Sequence, residues 1–336
     1  MSIGQPLHNQ RVLVIGGAGL IGSHLTDGLL ASETRVTVVD NLSSGRLANL
    51  DLSHAALRFA NIDVGERGQG NPGSPLDVMV QAADFIYHLA SPIGVARAHR
   101  NAFDTTKRIL EDGLNVVAAC LRHRKPVLYT SSSEIYGAGG DHALGEDEMA
   151  GFGLQPRWGY GAAKMAMEHL VAGLWREHGV PAWTVRFFNV VGPRQNAESG
   201  LVVSAFCKAA LDGDALIVHG DGGDRRTFLH VLDAVSALLA IPGSPQLRGR
   251  SVNVGGLENI SIKELAEMVV RLSGSGRIVF KPYADVYGAA FAPVRDRRPK
   301  LDLLVSATGW RPRHTLEEAI IGCFQTMARD YAGGKP

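Results

Sequence analysis

The sequence has few cysteines, and their placement argues against a disulfide framework. Cys120, Cys207 and Cys323 are odd in number and widely separated, as is typical of reduced thiols in a cytoplasmic protein. Each lies in an apolar stretch with helical spacing, which predicts that all three are buried by packing. The cytoplasm is therefore the expected location.

The chain also lacks a strong charge imbalance and a long apolar run. Lysine and arginine total 34 against 33 aspartate and glutamate in 336 residues, and they are scattered, so no basic stripe indicates nucleic acid or an anionic membrane as a partner. No segment reaches the roughly 18 apolar residues of a membrane span, and glycines interrupt the N-terminal apolar run where a signal peptide needs continuity. Any anionic ligand must be held by a local site.

The most informative segment is a glycine-rich motif that follows a short apolar run. The run from Arg11 to Ile15 ends in Gly16, Gly19 and Gly22, and a helical pattern follows. In a dinucleotide-binding turn, these glycines permit a tight turn, a close approach to a pyrophosphate and the packing of helix on strand, respectively. About 20 residues later a second apolar run ends in Asp40, where the acid that binds an adenosine ribose is expected. Because a carboxylate repels a ribose 2′-phosphate, NAD is favoured over NADP.

Alternating strand-like and helix-like runs predict an α/β fold, a Rossmann-type doubly wound parallel sheet with a smaller α+β C-terminal substrate lobe. The predicted domains are residues 1–188, which bind NAD, and 189–336, which bind the substrate, with segments within about 216–258 returning to the sheet. The stretch from Gly65 to Pro75 is predicted to be an exposed loop. Predicted strands are Val12 to Ile15, Val36 to Val39, Leu57 to Val64, Phe85 to Leu89, Val127 to Thr130, Trp183 to Phe188, Leu216 to His219, Val252 to Val254 and Ile278 to Phe280. Predicted helices are Leu20 to Ala31, Asp104 to His123, Trp158 to Glu177, Val203 to Leu211, Ile262 to Leu272 and Leu316 to Tyr331.

A tyrosine and a lysine four residues apart form the second chemical signal. Tyr160 and Lys164 share one face of the helix that is predicted to begin near Trp158. A lysine ammonium beside a tyrosine hydroxyl favours the phenolate, so we expect the pKa of Tyr160 to move toward neutrality. Tyr160 can then take a proton from a substrate alcohol, and Lys164 can also bind the nicotinamide ribose.

Together these motifs resemble the extended short-chain dehydrogenases that modify nucleotide sugars, over nearly the whole chain. The resemblance also rests on the segments Asp40 to Gly45, Asn61 to Val64, His88 to Ser91, Ser131 to Gly137, Arg186 to Arg194 and Arg226 to His230. It implies that NAD lies along the glycine motif, including Leu20 and Ile21, and it implies no metal. It further implies that Asp40, Asn41, Ser43 and Gly45 hold the adenosine ribose and phosphates, that Asp63 and Val64 meet adenine, and that Leu89, Ala90 and Ser91 run along the cofactor.

Enzymes of this kind oxidise the sugar at C4, act on the 4-keto intermediate and usually return the hydride. Glu134 is typical of sugar dehydratases and UDP-glucuronate decarboxylases, whereas many 4-epimerases have a small residue there. The loop from Tyr287 to Pro299 resembles that of the decarboxylases, in which the arginine matching Arg297 serves at the sugar carboxylate or as a proton donor. Arg295 and Arg298 are alternatives, and a diphosphate-binding or surface role for this cluster stays open.

The resemblance is strongest to UDP-glucuronate decarboxylases, so the predicted reaction is C4 oxidation of UDP-glucuronic acid and loss of CO2 from the β-keto acid. Tyr160 is the expected base, Lys164 its electrostatic partner, and Ser132 a donor to the C4 oxygen, with Ser133 beside it. Glu134 and Arg297 are expected to manage the carboxylate and the protonation at C5. A 4-epimerase acting on UDP-glucose or UDP-glucuronate is the first alternative, and a 4,6-dehydratase the second.

The resemblance also implies contacts at the nucleotide half of a UDP-sugar. Asn189 and Arg226 are expected at the diphosphate, His219 near the base and Tyr287 over the same end, although His219 equally fits a half-buried strand histidine. The apolar faces of the helices from Asp104 to His123 and Trp158 to Glu177 predict a homodimer with a four-helix seam. A non-enzymatic sensor of NAD or sugar nucleotide is a further alternative, disfavoured because the Tyr, Lys and hydroxyl residues are all present.

Overall fold

A seven-stranded parallel sheet forms the centre of the protein in a computed structural model that describes residues 7–92, 101–148, 151–287 and 294–332. The strands in chain order are β1 (Arg11–Ile15), β2 (Arg35–Asp40), β3 (Leu57–Asn61), β4 (Phe85–His88), β5 (Val127–Ser132), β6 (Gly139–Leu144), β7 (Ala182–Phe187), β8 (Val190–Val191), β9 (Ala215–His219), β10 (Arg225–Thr227), β11 (Leu229–His230), β12 (Ser251–Val254), β13 (Asn259–Ser261), β14 (Arg277–Lys281) and β15 (Asp296–Pro299). The central sheet has the order β12-β7-β5-β4-β1-β2-β3. Strand order reverses between β1 and β4, which is where open α/β sheets bind ligands.

Helices cover both faces of this sheet. In chain order they are α1 (Leu20–Leu30), α2 (Pro75–Ala82), α3 (Ala102–His123), α4 (Trp158–Arg176), α5 (Val202–Asp212), α6 (Val231–Ala240), α7 (Ile262–Ser273), α8 (Tyr283–Tyr287), α9 (Asp302–Thr308) and α10 (Leu316–Ala332). Within the described ranges, every helix is too short or too polar to cross a membrane. The doubly wound fold predicted from the sequence is confirmed.

The core forms because side chains of β1 alternate between two helical layers. Val12 and Val14 pack in one cluster with residues of α1 and α6. Leu13 and Ile15 pack in the other cluster with residues of α2, α3 and α4. All three cysteines are free and buried, as predicted.

The second half of the chain builds a smaller lobe around a four-stranded sheet of order β13-β10-β15-β6. Helices α5, α7 and α10 pack together in its core. Two segments cross the division predicted at residue 188, because β6 from the first half joins the small sheet and β12 from the second half pairs with β7. The cleft between the lobes is therefore bordered by segments from both halves of the chain.

The boundaries predicted for helices and strands agree with those of the structure within a few residues, although some elements are missing from the prediction. The strand predicted to end at Val64 ends at Asn61, and the loop predicted to extend to Pro75 gives way at that residue to α2. Ser74 caps α2, accepting a hydrogen bond from the Asp77 backbone N–H, and Pro75 occupies the first helical position, where its missing N–H costs nothing. These two residues are a start signal for a short helix that the loop prediction overlooked.

Candidate active site

The glycine motif forms a turn that leaves the N-terminus of α1 uncapped. Gly16 has a φ of +84°, and a side chain there would place its Cβ 2.6 Å from the Ala90 backbone nitrogen. A Cβ on Gly22 would overlap the Gly16 carbonyl, whereas one on Gly19 would meet only that carbonyl oxygen, at 3.5 Å. No side chain caps the first turn of α1, so its N–H groups can bind an anion. This geometry fits the pyrophosphate of a dinucleotide.

A cavity of about 560 Å³ runs past this turn along the carboxyl ends of the central strands. Its size is within the range of ligand pockets. Most of the predicted site residues line it: Gly16, Gly19, Leu20, Ile21, Gly22, Asp40, Asn41, Ser43, Asp63, Val64, Leu89, Ala90, Ser91, Ser132, Ser133, Glu134, Tyr160, Lys164 and Asn189. Gly45, His219, Arg226, Tyr287 and Arg297 lie outside this lining.

Asp40 stands at the end of β2, and its carboxylate is held by the backbone. Its Oδ2 accepts a hydrogen bond from the Ala18 N–H at 3.0 Å, and its Oδ1 accepts one from the Leu42 N–H at 2.8 Å. Gly45 packs behind it, since a Cβ there would approach Oδ2 to 2.9 Å. Gly45 therefore leaves room for the Asp40 carboxylate, and its contact with the cofactor stays a prediction.

The predicted adenine end contains an ion pair that sequence reasoning missed. Asp63 accepts a hydrogen bond from Asn41 Nδ2 at 3.2 Å and forms an ion pair with Arg108 of α3. Arg108 also binds Asp112, with 2.7 Å between its Nε and Asp112 Oδ1. Arg108 and Asp112 both line the cavity, so α3 contributes charged groups to its wall.

Tyr160 lies at the other end of the cavity, next to hydroxyl groups. The side chains of Ser91 and Ser132 are close enough to its hydroxyl to favour the phenolate form. Burial raises the pKa of Tyr160 to about 12, and the two serines lower it by less. The expectation that the pKa of Tyr160 moves toward neutrality is therefore wrong.

Lys164 is only 2% exposed, and its position explains this correction. Its Nζ donates a hydrogen bond to the Thr130 carbonyl oxygen at 2.8 Å and lies 4.7 Å from the centre of the Tyr129 ring. The centre of the Tyr160 ring is farther away, at 5.9 Å. Burial also lowers the pKa of Lys164, to about 7. Desolvation thus opposes the charged form of both members of the pair.

Glu134 sits among arginines at the substrate side of Tyr160. Arg297 is 3% exposed; its Nη1 donates to Glu134 Oε1 at 2.5 Å and its Nη2 donates to the Gly137 carbonyl at 2.6 Å. Arg157 approaches the same carboxylate, with 3.7 Å between Nη2 and Oε2. Burial by itself raises the pKa of Glu134, but Arg297 and the neighbouring arginines bring it below its ordinary value. Glu134 is therefore a carboxylate at neutral pH.

Strand pairing adds a third arginine to this group. Arg226 of β10 and Arg297 of β15 are direct partners in parallel strands, so their side chains project from the same face of the small sheet. Arg226 acts electrostatically on Glu134. Three guanidinium groups around one carboxylate leave a net positive charge, which suits an anionic substrate.

An aromatic cluster lies near these arginines. His219 at the end of β9 meets the Tyr287 ring edge-on, with 5.2 Å between ring centres, and the Tyr283 ring at 6.2 Å. The structure therefore brings together His219 and Tyr287, as predicted, and adds Tyr283, whose hydroxyl donates to Asp224 Oδ2 at 2.5 Å. Residues 288–293 of the predicted substrate loop lie outside the described residues. Asn189, between the two lobes, donates from Nδ2 to the Thr227 carbonyl at 2.8 Å.

The model of the NAD dependent epimerase/dehydratase family matches residues 12–255. The chain belongs to this family, and its cofactor is NAD. It is 30% identical to the UDP-N-acetyl-alpha-D-glucosaminuronate decarboxylase of Bacillus cytotoxicus, over 93% of this chain and 95% of that protein. It is 34% identical to UDP-glucuronic acid decarboxylase 1 of Danio rerio, over 96% of this chain and 73% of that protein.

Solved structures share the fold. Epimerase Mth375 from Methanothermobacter thermautotrophicus superimposes with a TM-score of 0.88 at 22% identity, covering 99% of this chain and 96% of that one. UDP-glucuronic acid 4-epimerase from Bacillus cereus, in complex with UDP-glucuronic acid and NAD, superimposes with a TM-score of 0.81 at 23% identity, covering 95% and 99%.

Proposed function

We propose that this protein, an NAD-dependent nucleotide-sugar enzyme, decarboxylates UDP-glucuronic acid. The observation that carries the proposal is the ion pair of Glu134 and buried Arg297 beside Tyr160. An acid and an arginine at this position suit a substrate that carries a carboxylate on the carbon next to the oxidised one. Similar curated proteins with this named activity, at 33% and 34% identity, support the choice.

The first step is oxidation at C4 of the sugar. Tyr160 removes the proton of the C4 hydroxyl, Ser132 donates a hydrogen bond to the C4 oxygen, and Lys164 stabilises the phenolate. When bound, NAD would supply the hydride-acceptor chemistry at C4 and give the hydride back after decarboxylation. Gly16, Gly19 and Asp40 would hold the cofactor in the cavity that Tyr160 also lines.

The second step is loss of CO2. Once C4 is a ketone, the C6 carboxylate is β to it, and the electrons of the breaking C5–C6 bond move into an enolate. Arg297, with Arg157 beside it, orients the carboxylate before it leaves, because a guanidinium matches a carboxylate in two parallel hydrogen bonds. The net positive charge of the cluster retains the substrate until the bond breaks.

The last steps protonate C5 and reduce C4 again. Because Glu134 is ionised, it acts by holding Arg297 and a water molecule rather than by giving up a proton of its own. Solvent supplies the proton that C5 gains, and Tyr160 returns its proton to the C4 oxygen. One proton is consumed for each carboxylate that leaves as CO2.

The nucleotide half of the substrate is placed by the small lobe. In this proposal Asn189 and Arg226 bind the diphosphate, whereas His219, Tyr283 and Tyr287 enclose the base. The aromatic cluster supplies flat apolar surfaces, and the arginines supply the charge that the diphosphate requires.

Product analysis tests the proposal. Purified protein is incubated with UDP-glucuronic acid, and the mass of the product is measured by mass spectrometry. The Tyr160→Phe variant is the negative control. Loss of CO2 in the wild type alone supports decarboxylation. An unchanged mass with inverted C4 would replace the proposal with 4-epimerase activity, and loss of water would replace it with dehydratase activity. Loss of CO2 only from UDP-N-acetylglucosaminuronic acid would keep the chemistry and change the sugar.

A further inference from the structure

A network of polar and charged side chains forms the wall of the cofactor cavity beyond strands β2 and β3. Asn41 follows β2, Asp63 follows β3, and Arg108 and Asp112 lie on helix α3. All four residues line the same cavity as the glycine turn. The network therefore borders the end of the cavity that the sequence predicts for adenine, and the function proposed above uses neither Arg108 nor Asp112.

Arg108 joins helix α3 to the loop that carries Asp63. Its Nη2 forms an ion pair with Asp63 Oδ1, and its Nε lies 2.7 Å from Asp112 Oδ1. Asp112 is buried, whereas the Arg108 side chain is partly exposed to the cavity. Because a guanidinium is planar and carries several donors in a fixed arrangement, the buried acid sets the direction in which Arg108 reaches Asp63.

Gly65 makes room for this contact. A Cβ on Gly65 would lie 2.8 Å from Arg108 Cζ and would overlap the Asp112 carboxylate. The Gly65 backbone N–H also donates to Asp63 Oδ1, at 3.0 Å. A carboxylate oxygen can accept two hydrogen bonds, so the amide and the guanidinium together occupy Oδ1.

The other oxygen of Asp63 keeps a position for a ligand. Asn41 Oδ1 accepts a hydrogen bond from the Ser43 N–H at 3.0 Å, which orients the amide so that its Nδ2 donates to Asp63 Oδ2 at 3.2 Å. Among the residues that the structure describes, this is the one donor to Oδ2. One acceptor position of Oδ2 is therefore left, on a side chain that is 36% exposed.

We propose that Arg108 is a positioning residue for NAD, which holds Asp63 so that the remaining position on Oδ2 accepts a hydrogen bond from the exocyclic amine of adenine. An ionised carboxylate is an acceptor only, so it suits the adenine amine and opposes the carbonyl oxygen of hypoxanthine. Asp112 acts through Arg108 by fixing its guanidinium. The inference concerns the cofactor, and it is independent of the sugar reaction proposed above.

The charge of the network fits this ligand. Asp63, Arg108 and Asp112 carry a net charge of minus one when all three are ionised. This charge attracts the partly positive hydrogens of an amine and repels an additional phosphate on the adenosine ribose. The network therefore acts in the direction expected for Asp40, which favours NAD over NADP.

The test compares two dinucleotides that differ at this position of the base. NAD carries the adenine amine, whereas nicotinamide hypoxanthine dinucleotide carries a carbonyl oxygen. Isothermal titration calorimetry on protein freed of cofactor measures both affinities. We expect the wild type to bind NAD at least about tenfold more tightly, since a hydrogen bond to a charged group has about that effect. Equal affinities would contradict the inference.

Arg108→Met removes both ion pairs and keeps an apolar stem. We expect its affinity for NAD to fall about tenfold while its affinity for the hypoxanthine dinucleotide changes little, so that the preference for NAD is lost. Arg108→Lys is a second variant in case the first does not fold. It keeps the charge but not the planar arrangement of donors, so its preference should be intermediate. A wild-type preference in either folded variant would overturn the inference.

Arg122→Met is the matched control. Arg122 lies on the same helix, pairs with the buried carboxylate of Asp77 and donates from Nη2 to the Gly70 carbonyl at 2.9 Å, but it lies outside the lining of the cofactor cavity. This variant should lose stability and keep the wild-type preference for NAD. If it lost the preference as well, the selectivity would depend on the general packing of α3, and the role of Arg108 would be refuted.

These measurements need no sugar nucleotide. Their outcome is therefore separate from that of the product analysis, whose failure would remove the proposed reaction and leave the binding of the base untouched.

Discussion

The Lys164 Nζ lies 5.9 Å from the centre of the Tyr160 ring, and the side chains of Ser91 and Ser132 lower the pKa of the Tyr160 hydroxyl. Burial raises the pKa of Tyr160 to about 12, so the phenol keeps its proton at neutral pH. In the proposed mechanism, Tyr160 must therefore lose this proton before it can act as the base. The serine hydroxyls and the lysine are the groups placed to stabilise the resulting phenolate.

Tyr160→Phe removes this hydroxyl and keeps the ring. We expect turnover to fall by at least about 100-fold, because general-base catalysis contributes about that factor or more. Affinity for NAD, measured by isothermal titration calorimetry, should change little, since the glycine turn and Asp40 are untouched. Tyr136→Phe is a control for loss of a buried phenol, as its hydroxyl binds Asn253 instead. Full turnover by Tyr160→Phe would refute the assignment of the base.

Glu134→Gln separates oxidation from decarboxylation. The variant keeps a hydrogen-bonding side chain beside Arg297 but leaves the three arginines without their carboxylate. We expect product formation to fall by about 100-fold, because Arg297 is no longer held in place to orient the carboxylate, while C4 oxidation continues and the reduced cofactor accumulates, as seen in its absorbance. Glu148→Gln, at a carboxylate bound to His142 at 2.8 Å, should behave like the wild type. Equal loss of both steps would show that Glu134 serves oxidation instead.

The parts of the fold predicted from sequence are those with strong local signals. The run that ends in Gly16 is apolar at every position of β1 after Arg11, because both faces of that strand are covered. In contrast, Arg225–Thr227 and Asp296–Pro299 have no apolar alternation. They become strands through pairing with each other and with β13 and β6, which no local pattern reveals.

The electrostatics of the site depended on packing even more strongly. Tyr160 and Lys164 were identified from their spacing, but the direction of the Tyr160 pKa shift was predicted wrongly because spacing does not report burial. Arg108 and Asp112 have the spacing of an ordinary exposed helix pair. Only the fold places Asp63 against Arg108 and buries Asp112, so this charged group could not be predicted from the sequence.

His88 makes stability depend on pH. It is 1% exposed, and burial lowers its pKa to about 3, whereas in the unfolded chain it gains a proton near pH 6.5. Between these values the unfolded state binds more protons, so the free energy of unfolding falls as pH falls. From pH 6.5 to pH 5 we expect His88 to account for a loss of about 2 kcal/mol, measured by urea unfolding.

His88→Phe should remove this contribution, because the ring stays and the titration disappears. Between pH 6.5 and pH 5, the difference in unfolding free energy between wild type and variant should therefore change by about 2 kcal/mol. His169, which is exposed on α4, supplies the control. In His169→Phe, the free energy of unfolding should depend on pH as it does in the wild type. If the free energy of unfolding of His88→Phe still falls with pH as in the wild type, other groups cause the acid sensitivity.

Helices α3 and α4 predict a homodimer, because their outer faces carry apolar side chains that the monomer leaves open. Leu114 of α3 is 49% exposed and Leu170 of α4 is 40% exposed, as a four-helix seam requires. Analytical ultracentrifugation should find a dimer for the wild type and a monomer for Leu114→Glu, since a charge buried against its own copy is costly. Leu257→Glu, at a 67% exposed leucine away from both helices, should remain dimeric. A monomeric wild type, or a Leu114→Glu dimer of undiminished affinity, would exclude this seam.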